Sequence, residues 1–353
     1  MLREGLAVPA HTFCLKHMAS AMLLLNVAAT VVLCTGTPLP GMAGHATHEP
    51  PAARHPDLAG PGPWDNDVLV YRVGSDGRTQ KLASFERAGV PTVARMNDGR
   101  LIAAHQHSPE NEAEFDKVAV RFSSDEGTNW TAAQVIRLSG LPEGMRFPFD
   151  PTLVTLPDGQ IRLYFTSVRG RRIDEHRPAI YSAISSNGID YTVEPGVRFG
   201  VEGRPVIDCA VALHRGAFHL YAPDNGAGGP PGVPGAEPGR APDRPRDGVG
   251  YYAISKDGLT FTRQPDVQLE GRRRWLGNAQ SDGTLITFFG TGDPGLGMAT
   301  SESGQDWKLG SRLPPLPGAD PGAVKLRDGS WLLVVTGPPR AGTPSATKRP
   351  RGH

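Results

Sequence analysis

The sequence predicts an all-β chain that forms a five-bladed β-propeller, and two repeated patterns predict it. A hairpin phrase occurs five times, and a short turn with Ser, Gly and an aromatic residue occurs four times. The composition agrees, because 44 glycines and 34 prolines exceed a fifth of the 353 residues and suit many short strands joined by turns. Long apolar stripes with the 3.6-residue helical period are hard to find beyond the N-terminus.

Each hairpin phrase is an apolar run, a tight polar-Gly turn and a second alternating run, which is the pattern of a β-hairpin. The five phrases are VPTVARMNDGRLIAAHQ from Val90, DPTLVTLPDGQIRLYFTS from Asp150, DCAVALHRGAFHLYAP from Asp208, RWLGNAQSDGTLITFFGTG from Arg274 and DPGAVKLRDGSWLLVVTG from Asp320. Each supplies strands A and B of a four-stranded antiparallel unit, so five phrases predict five blades. The alternative is six blades, which needs roughly 50 further residues.

The repeated turns are expected between strands C and D of each unit. They read SSDEGTNW at 123–130, SSNGIDY at 185–191, SKDGLTF at 255–261 and SESGQDW at 301–307. The carboxylate or amide can accept hydrogen bonds from turn N–H groups, the glycine can take positive φ, and the aromatic can cover the hairpin. The motif therefore predicts a device that closes a turn.

The fifth phrase is followed only by PPRAGTPSATKRPRGH, which cannot supply strands C and D. Two alternating runs lie near the N-terminus instead, in DVLVYRVGSDGRTQKLASF. We expect these runs to complete the last blade, which would close the ring without free sheet edges.

The ends of the chain differ from this pattern. The apolar run AMLLLNVAATVVLC from Ala21 to Cys34 is short for a membrane span, and small residues follow it, so we predict a signal peptide over 1–46 and export to the periplasm or beyond. A lipoprotein anchored at Cys34 is the alternative. We further expect a Pro/Ala-rich linker at 47–63, a propeller at 64–339 with a mobile Gly/Pro-rich loop at 224–248, and a basic disordered tail at 340–353.

Charge and cysteine content narrow the range of partners. The 37 basic and 36 acidic residues give a net charge of +1, so nothing in the bulk charge attracts nucleic acid or a membrane. Removal of the signal leaves Cys209 as the only cysteine, so no intrachain disulfide is expected. We predict a monomer without a membrane span in the mature chain.

The face with the long loops is the candidate site, because ligands bind propellers where loops of several blades converge. Strands A enter the channel from this face with Val90, Asp150, Asp208, Arg274 and Asp320. Three carboxylates at a narrow channel mouth raise one another's pKa, and hydrolases build acid and base groups in this way. The alternative is that these aspartates only cap loops.

Cations lie on the same loops, and guanidinium groups suit an acidic sugar. We expect Arg204 and Arg172 to orient substrate, with Arg274, Asp320 and His105 as further binding residues. His105 and His107 could ligate a metal, but no third ligand is placed beside them. No metal and no cofactor are therefore predicted.

The four turns resemble the Asp-box of sialidase-type β-propellers, over roughly residues 64–339. The resemblance implies a glycosidase acting on a terminal, acidic sugar, and Glu112 falls near the place of the sialidase acid. The sequence departs from that family at Gly89, where an arginine is expected, and no tyrosine can be assigned as nucleophile.

The count of five blades is also similar to the arabinanases and β-xylosidases. That resemblance implies an acidic trio for which Asp150, Asp208 and Glu270 are the candidates, although Val90 stands where the first-blade aspartate is expected. The leading hypothesis is a secreted glycoside hydrolase in which Asp150 and Asp208 flank the bond and Glu112 or Glu270 is the acid. The rival is a non-catalytic propeller that binds glycan or protein through the same loops.

Overall fold

The computed structural model describes residues 65–111, 114–115, 117–170, 176–226, 245–270, 274–292, 295–310 and 313–340. The predicted signal peptide and linker lie outside these ranges, as do most of the predicted mobile loop and the tail after residue 340. Two candidate site residues, Glu112 and Arg172, also lie outside the described residues. Within the described ranges, nothing forms an apolar helix of membrane-spanning length.

The chain folds into five small antiparallel sheets that form a five-bladed β-propeller, as predicted. It begins with β1 (Val68–Val73) and β2 (Thr79–Phe85), which belong to the last blade. Blade 1 contains β3 (Ala88–Arg95), β4 (Leu101–His107), β5 (Lys117–Ser123) and β6 (Gln134–Val135), and β7 (Arg137–Ser139) crosses to the outer edge of blade 2. Blade 2 contains β8 (Phe149–Thr155), β9 (Ile161–Ser167), β10 (Ala179–Ser185) and β11 (Asp190–Phe199).

The remaining strands complete the ring. Blade 3 contains β12 (Ala210–His214), β13 (Ala217–Pro223), β14 (Val249–Ser255), β15 (Thr262–Arg263) and β16 (Val267–Gln268). Blade 4 contains β17 (Gly277–Ser281), β18 (Ile286–Gly292), β19 (Gly295–Ser301) and β20 (Lys308–Leu309). Blade 5 contains β21 (Ala319–Lys325) and β22 (Trp331–Thr336), followed in space by β1 and β2.

The N-terminal strands close the ring, as the repeat count predicts. Strand β1 pairs antiparallel with β22, with Val68 opposite Thr336, Val70 opposite Val334 and Val73 opposite Trp331. Strand β2 then pairs with β1 on the outside. Blade 5 is therefore built from both ends of the folded domain.

The core consists of apolar clusters at the seams between neighbouring blades, and each of the five seams has one. Strand β22 is an unbroken apolar run because both of its faces are buried. Leu332 and Val334 pack toward blade 1, whereas Leu333 and Val335 pack toward blade 4. A blade is buried on both faces, so the alternation of polar and apolar residues is lost in its inner strands.

The four repeated turns are closed by the predicted side chains. In the first turn, the Ser123 hydroxyl accepts the Gly127 N–H at 2.9 Å, and Asp125 Oδ1 accepts the Asn129 N–H at 2.9 Å. The Trp130 indole N–H donates to the Gly127 carbonyl at 2.9 Å. The corresponding hydrogen bond, from the glycine N–H to the serine hydroxyl, recurs in the other three turns.

These turns also join each blade to the blade before it, which the sequence did not predict. A Cβ at Gly127 would lie 2.6 Å from Leu332 of blade 5, and one at Gly188 would lie 2.6 Å from Ile102 of blade 1. The Tyr164 hydroxyl of blade 2 donates to the Gly258 carbonyl of the blade 3 turn at 2.9 Å. The glycines are therefore required by close packing as well as by their positive φ.

Candidate active site

The candidate site begins where strands A enter the channel, each with a residue in the left-handed region. Val90, Asp150, Asp208 and Asp320 have φ of 45°, 49°, 56° and 48°. Strands β3, β8 and β21 contain a bulge at this point, and a bulge re-aims the side chain that it carries. The bulges at Asp150 and Asp320, with positive φ at all three aspartates, bring three carboxyl groups to the channel mouth.

Blade 4 departs from the predicted alignment. Gly277, with φ of 151°, occupies the position that the other blades give to Val90 or an aspartate. Strand β17 pairs with β18 without a bulge, with Gly277 opposite Gly290, so its channel residue lies three positions after Arg274. The sequence-based placement of Arg274 at the same position as Asp150 was therefore wrong.

Threonine hydroxyls of the preceding blade hold this strained backbone. Thr166 Oγ1 accepts the Asp208 N–H at 3.2 Å, Thr291 Oγ1 accepts the Asp320 N–H at 2.9 Å, and Thr336 Oγ1 accepts the Val90 N–H at 2.8 Å. We missed these threonines, although the sequence carries the signal: YFTS, FGTG and VVTG end the second, fourth and fifth phrases.

The three aspartates line one small cavity of about 20 Å³ at the channel mouth, together with residues from the other two blades. The other lining residues are Val90, Pro91, Thr92, Pro151, Thr152, Cys209 and Gly277. Asp150 and Asp208 come from adjacent blades, whereas Asp320 comes from blade 5, two blades away from either. A hydrogen-bonded pair of carboxyl groups therefore faces a single carboxyl group across the channel.

Asp208 lies in an environment that strongly favours its protonated form. Desolvation in the narrow channel raises its pKa well above the usual range, and the charges of Asp150 and Asp320 raise the pKa further. The Asp208 side chain also hydrogen-bonds to Asp150, which requires a proton on one of the two carboxyl groups. The pair can therefore keep a proton at a pH at which an ordinary aspartate has lost it.

Asp320 has groups that favour its charged form. Desolvation is the largest effect and raises its pKa above the usual range, while the Arg274 guanidinium and a hydrogen bond from Thr336 oppose that rise. The Thr336 hydroxyl accepts the Val90 N–H and can thus direct its own proton to Asp320. The Asp150–Asp208 pair thus favours a proton, whereas Asp320 has a cation and a hydroxyl donor that favour its charged form.

Arg274 approaches the carboxyl groups from blade 4, although it is not at the aligned position. Its charge acts on both Asp208 and Asp320, and its Nη2 donates to Asn225 Oδ1. Asn225 is 1% exposed, and its Nδ2 has no partner among the described residues. Sequence analysis missed Asn225, because it lies at the start of the stretch predicted as a mobile loop.

The start of that stretch is in fact tightly held. The Asp224 side chain is fully buried and accepts hydrogen bonds from Arg204 Nη1 at 3.0 Å, from the Tyr251 hydroxyl at 2.8 Å and from the Gly226 N–H at 3.0 Å, and it also binds Arg246. Asp224 and Asn225, the first two residues of the predicted mobile loop, are thus buried, while most of that loop lies outside the described residues. Arg204, expected to orient substrate, forms an ion pair with Asp224.

Two other candidates lie away from the cavity. His105 is fully buried in blade 1, its Nδ1 is 2.9 Å from the Gln106 carbonyl, and its ring packs against those of Phe85 and His107. Burial lowers its pKa to about 3 and leaves its side chain without exposed surface, so its position does not support the predicted role in binding. Glu270 is exposed shortly after β16 and does not line the cavity.

Within the described residues, no group of three His, Cys, Asp or Glu side chains is placed to hold a metal ion. Cys209 lies in the cavity wall, and desolvation raises the pKa of its thiol, so the thiolate is disfavoured. The chemistry that the cavity offers is that of carboxyl groups in unlike environments.

Comparison with solved structures supports the architecture. A GH43_1 enzyme from Xanthomonas citri with bound xylotriose matches over 70% of this chain and 80% of that chain, with 17% identity and a TM-score of 0.50. The same comparison gives 18% identity and a TM-score of 0.50 for a Xanthomonas citri GH43_1 enzyme with xylose, over the same shares of the two chains. A family 117 glycoside hydrolase from Zobellia galactanivorans covers 74% of this chain and 80% of its own, with 14% identity and a TM-score of 0.46.

The structural neighbours are five-bladed β-propeller glycoside hydrolases, and at this identity the likeness establishes the fold. No protein-family model and no curated protein matches the chain.

Proposed function

We propose that this protein is a glycoside hydrolase whose active site is the channel cavity. One observation carries the proposal: carboxyl groups of blades 2, 3 and 5 meet in one cavity, and two of them are hydrogen-bonded to each other. Glycosidases cleave with a protonated carboxylic acid and a carboxylate on either side of the bond. The glycosidase-like character of the structural neighbours supports the same class.

In this proposal, Asp208 protonates the glycosidic oxygen, and Asp150 holds the proton with it before the reaction. Asp320, across the channel and beside Arg274, is the carboxylate that acts on the sugar or on water. This replaces Glu112 and Glu270 as candidate acids, because Asp208 has the environment that keeps a proton.

The finer expectations remain part of the proposal. An acidic sugar was expected from the loop arginines, but Arg204 is paired with Asp224, and the guanidinium of Arg198 donates to the carbonyls of Leu259 and Gly196. Neutral terminal sugars are therefore included on equal terms. We also propose export, as the N-terminal sequence predicts, so that the substrate is an external glycan.

The test is turnover of aryl arabinosides, xylosides and sialosides by the wild-type protein and three variants. Asp208→Asn and Asp320→Asn should each lower kcat by a factor of about 10² to 10⁴. Asp158→Asn is the matched control, since Asp158 lies in the A–B turn on the opposite face and its Oδ1 accepts the Gln160 N–H at 3.0 Å, which an amide can still do. Equal loss in all three variants would contradict the assignment.

The rival function is non-catalytic glycan binding, and Val90 favours it, because blade 1 brings an apolar side chain where three blades bring a carboxyl group. Absence of turnover on every substrate, with glycan-array binding that Asp320→Asn abolishes, would establish the rival. Absence of both turnover and binding would contradict both proposed functions.

A further inference from the structure

We propose that Asn225 and Arg274 form a positioning pair that fixes a positive charge between the two sides of the carboxyl cluster. This inference rests on the proposed function for its catalytic meaning, since it assigns the groups that set the protonation of the active-site aspartates. Arg274 and Asn225 belong to blades 4 and 3, and neither side chain lines the cavity.

The contacts of Arg274 fix both its ends. Its backbone N–H donates to the Thr291 carbonyl at 3.1 Å, and the hydroxyl of the same Thr291 accepts the Asp320 N–H at 2.9 Å. Its guanidinium reaches Asn225. One threonine thus couples the Arg274 backbone to the backbone of Asp320, and an amide from the next blade holds the charged end.

Asn225 is built to be rigid. It is 1% exposed and follows Asp224, which is held by Arg204, Arg246, Tyr251 and the Gly226 N–H. A neutral amide in this place can accept from Arg274 without cancelling its charge, whereas a carboxylate would cancel it. The charge of Arg274 therefore remains available to Asp208 and Asp320.

The groups that face this charge come from several blades. Asp208 and Asp320 are the carboxyl groups whose pKa values Arg274 lowers, Asp150 lies beside Asp208, and Cys209 is kept as a thiol. Blade 1 contributes Val90 to the cavity and blade 4 contributes Gly277, neither of which titrates. Among these groups, Arg274 supplies the positive charge that lowers the pKa of both Asp208 and Asp320.

The pH dependence follows from this balance. Asp208 and Asp320 have raised pKa values in the folded protein, so the native state binds more protons than the unfolded state, and stability falls as pH rises above the unfolded value of about 4. Arg274 lowers both pKa values and therefore limits the loss of stability at higher pH. Its loss should therefore cost little in acid and progressively more toward neutral and alkaline pH.

The experiment measures the melting temperature (Tm) of the full chain at about pH 4 and about pH 8 and needs no substrate. For Arg274→Gln, we expect the loss of Tm to be at least about 2 °C greater at the higher pH. For Asn225→Ala, we expect the loss of Tm to be greater at the higher pH as well, but by a smaller difference. Arg274→Lys keeps the charge, so its difference in Tm loss between the two pH values should be less than half of that of Arg274→Gln. When Arg274→Gln is introduced into the Asp208→Asn, Asp320→Asn double variant, its loss of Tm should be the same at both pH values.

Arg215→Gln is the matched control. Arg215 joins the same two blades, but its guanidinium donates to the carbonyls of Gly283, Thr284 and Glu302, so its loss should be equal at both pH values. An equal loss at both pH values for Arg274→Gln, or persistence of its pH dependence without the two aspartates, would overturn the proposal. If Arg274→Gln does not fold, Asn225→Ala and Arg274→Lys decide by the same comparison. Because the Tm comparison needs no substrate, absence of glycosidase activity would not contradict the role of Arg274 and Asn225. A failed Tm comparison would likewise not contradict the proposed glycosidase function.

Discussion

Individual residues of the site were predictable where the hairpin turn fixed their register. The A–B turns place Asp150, Asp208 and Asp320 at the start of strands A, and the structure brings all three to one cavity. The register failed in blade 4, because β17 lacks the bulge and shifts the channel position to Gly277. The burial of His105 was not predictable, since β4 is buried on both faces and a place in such a strand does not indicate exposure.

Val90 carries a cost that the other channel residues avoid. A β-branched residue at φ 45° is strained by about 1 to 3 kcal/mol, whereas asparagine tolerates this region better. Val90→Asn should therefore raise the free energy of unfolding by about 1 kcal/mol, measured by urea denaturation. Val197→Asn is the control, because Val197 is 51% exposed in extended strand β11. A destabilised Val90→Asn beside an unchanged control would show that the apolar contact of Val90 outweighs its strain.

At the scale of elements, the turn chemistry was predictable and its second role was not. Ser, Asp or Asn, and Gly at fixed offsets predict hydrogen bonds within one turn, because the partners are close in sequence. The packing of Gly188 against Ile102, or of the Gly258 carbonyl on Tyr164, joins residues far apart in the chain. No local pattern identifies such a partner until the blades are arranged in a ring.

The third turn allows a comparison within the chain itself. Asp257 Oδ1 accepts the N–H groups of Leu259 at 2.8 Å and Thr260 at 2.9 Å, and Asn187 does the same in the second turn. Asp257→Asn should thus be close to neutral, whereas Asp257→Ala should cost about 1 to 2 kcal/mol by losing these two contacts and the one from the Ser255 hydroxyl. Chemical denaturation at neutral pH measures both. Equal losses would indicate that the charge of Asp257, which the amide lacks, is what stabilises the turn.

At the scale of the molecule, the blade count and the closure followed from arithmetic on the repeats. Five A–B phrases with four C–D turns leave one blade incomplete, and the two N-terminal runs supply the missing strands. The residues at each seam between blades could not be predicted in the same way. Strand β22 divides its apolar residues between two clusters, and an unbroken apolar run does not indicate which side chain faces which neighbouring blade.

Closure through the N-terminus makes the ring dependent on about twenty residues. A chain without residues 66–86 would lose β1 and β2 and expose the edge of β22, whose WLLVV run is prone to intermolecular pairing. We expect this truncated protein to aggregate or to lose its cooperative melt, while deletion of residues 47–60 should leave Tm nearly unchanged.

A synthetic peptide spanning residues 65–87 should restore solubility when it is added during refolding, because it can pair with β22 in the observed register, Val70 opposite Val334. The same peptide with Val70→Asp is the control, since Val70 is fully buried in the seam between blades 5 and 1 and a charge there is costly. Light scattering and circular dichroism follow the outcome. A truncated chain that folds cooperatively without peptide would mean that strand pairing with the N-terminus is dispensable, and rescue by the control peptide would mean that the seam is not what holds β1 in place.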